Sequence, residues 1–377
     1  MTVHTGAWLP GHLAVLDAGT HHTAPVITRE QVVPIVPGVD VWDLGPVRTP
    51  DGRVARHGGT ELWIAISAPA EGDPGGRHDI ARLRLLTHWD GRWGDAGPLF
   101  PDGASLGSRE WAASATLHPD GRLEVLYTAA GARDGSRPRF DQCIVAADAT
   151  LAPRDGTVAL RDWTPHRVVL RADGATYMPT DSEDGEPGFI KAFRDPFPVR
   201  DGDGADWMLF AASQAGATSA FNGAVGVARA DGAGGWVPHP PLLTADGVNN
   251  ELERPHLVRH DDAWYLFFST QRRTFAPGVD GPSGLYGFVA PALLGPYRPL
   301  NGSGLVLRNP PQEPLQAYSW LVLPDLRVAS FIDAHSLDGR SPEEIDAEGP
   351  EASRRHFGGT IAPILRLHLD GERAALA

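Results

Sequence analysis

The chain has 377 residues, a formal net charge of −14 and one cysteine, Cys143. The acidic balance argues against nucleic acid or an anionic membrane surface as partner, because both select for lysine and arginine on the binding face, and one cysteine excludes an intrachain disulfide or a thiolate zinc cluster. No run approaches about 18 uninterrupted apolar residues, so no helical membrane span is expected, and the opening MTVHTGAWLPGHLAVLDAG lacks the basic head and sustained apolar core of a signal peptide.

With 44 glycines and 34 prolines, many turns and few long helices are expected, which favours an all-β fold. His21 and His22 come first in chain order, have no metal-ligand partners at a recognisable spacing and read as loop histidines. From Asp40 onward one unit recurs: a polar-headed strand, a short turn rich in Asp and Gly, then a strand rich in aromatic and β-branched residues. The first unit is DVWDLGPVRTPDGRVARHGGTELWIAISAP, with its second strand near Trp63. The second is REWAASATLHPDGRLEVLYTAAG, where Asp120-Gly121 is a strong hairpin signal. FRDPFPVRDGDGADWMLFAASQAG is the third; its run from Asp201 to Asp206 lacks the spacing of a calcium loop and reads as a hairpin turn. NNELERPHLVRHDDAWYLFFS and AYSWLVLPDLRVASFIDAH are the fourth and fifth. FDQCIVAAD, AVGVARA and LYGFVAP supply outer strands, and Arg354 to His356 is a short solvated charge run.

Units spaced by roughly sixty to eighty residues suit four-stranded blades with insertions. The expected architecture is a five-bladed β-propeller with a central funnel, a single domain over residues 1–377. Two β-sandwiches are the alternative, but they give no reason for chemically active residues to recur at one point of each unit. In a propeller the innermost strands run side by side about the axis and their starts face one funnel. Asp43, Glu110 with Trp111, Arg194 with Asp195, Glu251 with Glu253 and Arg254, and Tyr318 all stand at or near those starts.

Taken singly, Asp43 and Asp195 read as turn residues, Glu253 with Arg254 as a strand-edge ion pair, and Trp42 and Trp111 as core aromatics. Taken together, acids heading three repeated units point to glycoside chemistry. A retaining mechanism needs one carboxylate to attack the anomeric carbon and a second to protonate the departing oxygen; a third can stabilise the oxocarbenium-like transition state. On an extended strand Glu251 and Glu253 share one face and Arg254 leans to the other. A like charge and partial burial then raise the pKa of one carboxyl of the pair, as a general acid requires.

The ordered motifs DVWD, EWAASAT, FRDPFPV, PPLLTADGVNNELERPHLV, WYLFFSTQRRTFAPG, GLYGFVAP, QAYSWLVLP and FGGTIAPIL span most of the chain. In them the chain resembles glycoside hydrolase family 68, the levansucrases, inulosucrases and related β-fructofuranosidases, whose fold is a five-bladed propeller. The resemblance implies that Asp43 is the nucleophile that forms a fructosyl-enzyme from sucrose or a related β-fructoside, that Asp195 stabilises the transition state, and that Glu253 is the acid and then the base. It also implies that Trp42, Trp111 and Arg194 shape the fructosyl subsite, and that Glu251, Arg254 and Tyr318 contact the glucosyl side. Sugar acceptors or water then complete the turnover, with no cofactor and no metal. The family is largely secreted, which implies an extracellular protein, with a cytoplasmic one as the alternative given the opening sequence.

Five departures stand out. Gly45 replaces a tryptophan that often follows the nucleophile, and Ala112 replaces a hydroxyl residue, which removes a hydrogen bond to the nucleophile. Ala211 replaces a glutamate, and Gln271, with Arg272 beside it, stands at the acceptor-side basic position. Asn250 occupies the place where some members carry a calcium-binding aspartate, so calcium is not expected. Two rival readings follow: an inverting, arabinan-type propeller glycosidase, and a sugar-binding propeller that has lost turnover.

Overall fold

The computed structural model describes residues 2–16, 23–137, 139–154, 157–180 and 190–377; His21 and His22 lie outside the described residues. Five antiparallel sheets follow one another along the chain and close into a ring, a five-bladed β-propeller. Their inner strands are Val39–Pro46, Arg109–Leu117, Phe193–Arg200, Glu253–His260 and Ala317–Val322, which define blades 1 to 5. Each inner strand is followed by a hairpin partner: Thr60–Pro69, Arg122–Ala130, Asp206–Ser213, Ala263–Thr270 and Arg327–Ala334.

The hairpin signals act where the sequence places them. At Asp120-Gly121 the carboxylate accepts from Arg122 N at 3.0 Å while Gly121 takes φ 85°, a left-handed value that glycine adopts at no steric cost. Asp201 likewise folds its own turn, accepting from Asp203 N, Ala205 N and Trp207 Nε1 at 2.8 to 2.9 Å.

The second strands, such as Thr60–Pro69 and Ala263–Thr270, are buried almost throughout rather than on alternate residues. Each is sandwiched between two neighbouring blades, so both of its faces are core faces. The apolar clusters accordingly lie between blades: one joins residues of blades 1, 2 and 5, another joins blades 3 and 4, a third joins blades 4 and 5, and a fourth joins blades 2 and 3.

The segment before blade 1 runs along the outside of the ring. Gly6–Ala7 pairs in parallel with Leu243 and Thr244 of blade 3. Trp8 then buries its ring among Phe268, Phe275, Tyr286 and Phe288 of blade 4, with centroids 4.8 to 6.4 Å away. Further along, Ile27 N donates to Gln316 Oε1 at the entry to blade 5 at 3.0 Å. One stretch of chain therefore ties three blades together.

All five inner strands carry the same irregularity. Their ladder to the second strand shifts register between Trp42 and Gly45, Trp111 and Ala113, Arg194 and Phe197, Glu253 and His256, and Tyr318 and Leu321. Each is a β-bulge near the strand's start, and bulges re-aim side chains. Within four of them one non-glycine residue takes a left-handed backbone: Asp43 (φ 48°), Asp195 (φ 61°), Arg254 (φ 49°) and Ser319 (φ 57°). Such conformations cost on the order of 1–3 kcal/mol each and persist where the surroundings over-determine them.

Candidate active site

Blade by blade, the bulges place a pair of residues at the funnel: Trp42 and Asp43, Trp111 and Ala112, Arg194 and Asp195, Glu253 and Arg254, Tyr318 and Ser319. Strict alternation would aim only one of each pair inward. The expectation that Arg254 leans away from Glu253 therefore fails, because its left-handed backbone breaks the period of two. Arg254 instead reaches across the axis, where Nη1 donates to Leu44 O at 3.1 Å and to Ser319 Oγ at 3.2 Å. Glu251 does not share a strand with Glu253 either; it lies just before the strand begins, its N–H donating to Asn249 Oδ1 at 2.8 Å.

The three acids are joined by one chain of contacts. Asp43 is hydrogen-bonded by Ser319 and attracted by Arg254. Arg254 N donates to Asp195 Oδ2 at 3.0 Å. Arg194 Nη2 meets Glu253 Oε1 at 3.0 Å and Glu251 Oε1 at 3.7 Å, while its Nε lies 4.0 Å from Asp195 Oδ2. Tyr318 OH donates to Glu253 Oε2. Both oxygens of Glu253 are thus held by fixed donors, which positions the carboxyl for proton transfer.

Electrostatics separates these groups. Burial pushes the Asp43 carboxyl up, against the pull of Arg254 and the Ser319 hydrogen bond. Burial and the charge of Glu253 push Asp195 up to about 6 even with Arg194 beside it. In the glutamate pair it is Glu251 that is raised, first by burial and then by Glu253. Burial opposes the Arg194 charge, but Glu251, Glu253 and Asp195 together hold its pKa above the ordinary value. Tyr318 is raised well above its ordinary range by burial and by Glu253, so the phenol stays a donor.

The predicted aromatic residues flank this network. Trp42 is buried, with His78 edge-on to its ring at 5.6 Å and the Arg77 guanidinium 5.4 Å from its centroid. Trp111 is half-buried; its Nε1 donates to His78 O at 3.4 Å, and Arg109 lies 5.0 Å over its ring. Gln271 precedes the short helix Arg272–Thr274 and is half-buried. Arg272 is not brought into the cluster: it is exposed and pairs with Asp280 at 3.2 Å on the surface. The charge of the next residue, Arg273, does reach Glu251, His78 and Asp333.

Several site residues were not visible in the sequence pattern. Arg77 and His78 come from the short helix Pro74–Asp79 between two strands of blade 1, outside the repeated strand starts. Arg77 Nη2 contacts Asp333 at 3.4 Å, and the His78 ring opens to the funnel with its pKa pushed well down by its depth in the protein and by Arg77. His256 is a second surprise. It is fully buried, its Nδ1 donates to Arg254 O at 2.9 Å, and its Nε2 accepts from Val322 N at 2.9 Å. Those two bonds fix the neutral tautomer and lash the Arg254 bulge to blade 5.

Two departures acquire a physical account. Ala112 offers no hydroxyl from blade 2, but Ser319 supplies one to Asp43 from the equivalent bulge of blade 5, so the nucleophile position keeps a hydrogen bond. At Asn250 the side-chain oxygen accepts from the Lys191 ammonium at 2.9 Å, and the same ammonium bonds Asn222 Oδ1 at 2.9 Å. A resident cationic side chain therefore sits against the oxygen that a calcium ligand would present.

The levansucrase/invertase family profile matches residues 13–222 and 216–377. The chain belongs to the levansucrase/invertase family. A levansucrase of Pseudomonas syringae pv. actinidiae is 33% identical over 380 residues, covering 89% of this chain and 82% of that protein. Another, from Pseudomonas savastanoi pv. glycinea, is 33% identical over 398 residues, covering 93% of this chain and 90% of the relative. Among solved structures, an inulosucrase from Halalkalicoccus jeotgali bound to kestose superposes with a TM-score of 0.91 at 38% identity, covering 99% of this chain and 95% of that one. A levansucrase from Gluconacetobacter diazotrophicus, at 24% identity and a TM-score of 0.84 over 100% of this chain and 90% of that one, shares the fold. Family membership and the five-bladed ring agree.

Proposed function

We propose that this protein is a glycoside hydrolase and fructosyltransferase that takes the fructosyl group from sucrose through a covalent fructosyl-enzyme, with retention, and releases glucose. The observation that carries this reading is the convergence of Asp43, Asp195 and Glu253, from three different blades, on the shared neighbours Arg254 and Arg194 around one axis.

In the first half-reaction Asp43, ionised and held by Ser319 and Arg254, attacks the anomeric carbon of the fructosyl unit. Glu253 delivers its proton to the glycosidic oxygen, so glucose leaves with an intact hydroxyl and the bond to Asp43 forms as the bond to glucose breaks. Asp195, oriented by Arg254 N, accepts from fructosyl hydroxyls and stabilises the positive charge that develops on the ring. Trp42 and Trp111 supply apolar faces beside the sugar. In the second half-reaction Glu253, now ionised, takes a proton from water or from an acceptor sugar, whose oxygen then displaces Asp43. Water yields fructose; an acceptor sugar yields a longer saccharide. On this reading Glu251, Glu253, Gln271 and Arg273 serve the side where glucose leaves and the acceptor enters.

Incubation with sucrose, followed by assay of glucose and by NMR of the first-formed product, tests the reading. Glucose release with retained anomeric configuration is expected. An inverted product supports the arabinan-type alternative, and absence of glucose from sucrose and other fructosides supports a sugar-binding propeller.

A further inference from the structure

Beyond the bulges the channel widens into a cavity of about 730 Å³ that has Asp195 and Arg254 among its lining residues. Its walls are the stretches that follow each bulge: Gly45 onward in blade 1, Ser114 to His118 in blade 2, Phe197 to Arg200 in blade 3, Leu257 to Arg259 in blade 4 and Leu321 to Pro324 in blade 5. Apart from Asp195 and Arg254, the residues of this lining take no part in the fructosyl-transfer mechanism.

Of its deeply buried cations, Arg254 is engaged with Leu44 O and Ser319, and the other is Arg48, 9% exposed, which follows the inner strand of blade 1. Its backbone is clamped to blade 2, with Arg48 N donating to Ala115 O at 2.9 Å and Leu117 N to Arg48 O at 2.8 Å. The side chain crosses the axis to blade 3, where the guanidinium stacks 3.7 Å over Phe197 and Nη2 donates to Pro198 O at 2.7 Å. Among the described residues no carboxylate lies within ion-pair distance and no second protein acceptor meets its guanidinium. Burial pushes its pKa down to about 9 with no acid to offset the effect.

A buried charge is ordinarily paired, because an unpaired one costs several kcal/mol. Stacking on Phe197 and one carbonyl bond satisfy only part of this group. The acidic groups of the lining are engaged elsewhere, Asp195 with Arg194 and with Arg254 N. Arg53, Arg122 and Arg200 are already matched by Asp51, Asp148 and Asp206 at 2.6 to 2.7 Å. Asp201 is spent on its own turn and Glu124 on His118 and Arg122. Arg167 and Arg259 at the mouth have no acidic partner among the described residues. In a chain whose net charge is −14, three uncompensated guanidinium groups thus line one concave space.

We propose that this cavity binds a small oxyanion of the phosphate class, either free phosphate or the phosphate group of an ester, with Arg48 as the deep anchor and Arg167 and Arg259 at the mouth. Arginine suits such a ligand because its planar fork matches two phosphate oxygens at once. The cavity is large enough for an ester to leave its organic part in the wider outer section.

Isothermal titration calorimetry at constant ionic strength tests this, with inorganic phosphate in one arm and a hexose phosphate in the other. The titrations are repeated with saturating sucrose in the Asp43→Asn background. One equivalent of phosphate or ester is expected to bind and to remain bound when sucrose is added, and the tighter of the two arms identifies the source of the phosphate group. Arg48→Met, which keeps the stem and removes the charge, should weaken binding about tenfold or more. Arg259→Gln and Arg167→Gln should each weaken it several-fold, and they carry the test if Arg48→Met does not fold. No binding in either arm, displacement by sucrose, or unchanged affinity in the arginine variants would overturn the proposal.

Discussion

At Asp195 the environment sets opposing demands on stability and turnover. Its carboxyl is raised to about 6, chiefly by burial and then by Glu253, with Arg194 pulling the other way. A carboxyl whose folded pKa exceeds its unfolded value stabilises the fold most when protonated, so that contribution is lost as pH rises through about 6. Turnover runs in the opposite direction, because Asp195 and Asp43 act as anions. The kcat/KM profile should therefore fall on the acid side near pH 6 rather than near about 4, the ordinary carboxylate range. Asp195→Asn should abolish measurable turnover yet raise stability at pH 7 by about 1–3 kcal/mol, read as a higher Tm; a lower Tm would show that the pairing with Arg194 outweighs desolvation. Ser319→Ala removes the hydroxyl that serves both Asp43 and Arg254. About a tenfold to hundredfold loss in kcat/KM with an unchanged fold is expected from a charge-assisted hydrogen bond of this kind, measured by initial rates on sucrose and circular dichroism.

The bulged inner strand is the element that turns sequence into site. Its presence was not legible in the sequence, because alternation assigns Glu251 and Glu253 to one face and Arg254 to the other, whereas a single left-handed residue re-aims Arg254 into the funnel. What was legible is the polar head of each unit and the Asp-Gly hairpin behind it, since both are local signals. Gly45 shows how tightly this element is fitted: a Cβ there would stand 3.2 Å from Leu321 Cδ2 and 3.3 Å from Arg254 Nη2. Restoring the tryptophan seen in family members, Gly45→Trp, should displace Arg254, cost about 1–3 kcal/mol by overpacking and raise KM for sucrose. A variant with wild-type Tm and KM would mean that Arg254 has room the geometry does not show. The short helix carrying Arg77 and His78 was missed for a different reason. Its GGRHD run has no periodicity and lies outside every repeated strand start, so only the fold brings it to Trp42.

On the scale of the whole ring, five blades of separate hairpins bring together residues more than two hundred positions apart, as in the bond from Arg254 to Leu44 O. Count, order and approximate spacing of the blades could be read from the repeat. How the segment before blade 1 is used could not, because a two-residue parallel strand and one tryptophan leave no periodic trace. Trp8 is nonetheless 1% exposed among four aromatic rings of blade 4. Trp8→Ala should cost about 3–5 kcal/mol and lower Tm while leaving kcat on sucrose nearly unchanged below the transition; equal loss of kcat would place the segment in the catalytic machinery instead. The central claim concerns Asp43, and mass spectrometry of protein quenched during turnover tests it most directly, using the Glu253→Gln variant with a fructosyl donor whose leaving group needs no protonation, so that the intermediate forms but its release is slowed. The account predicts a peptide containing Asp43 heavier by one fructosyl residue, absent in Asp43→Asn; an adduct on another carboxylate, or steady turnover by Asp43→Asn itself, would contradict it.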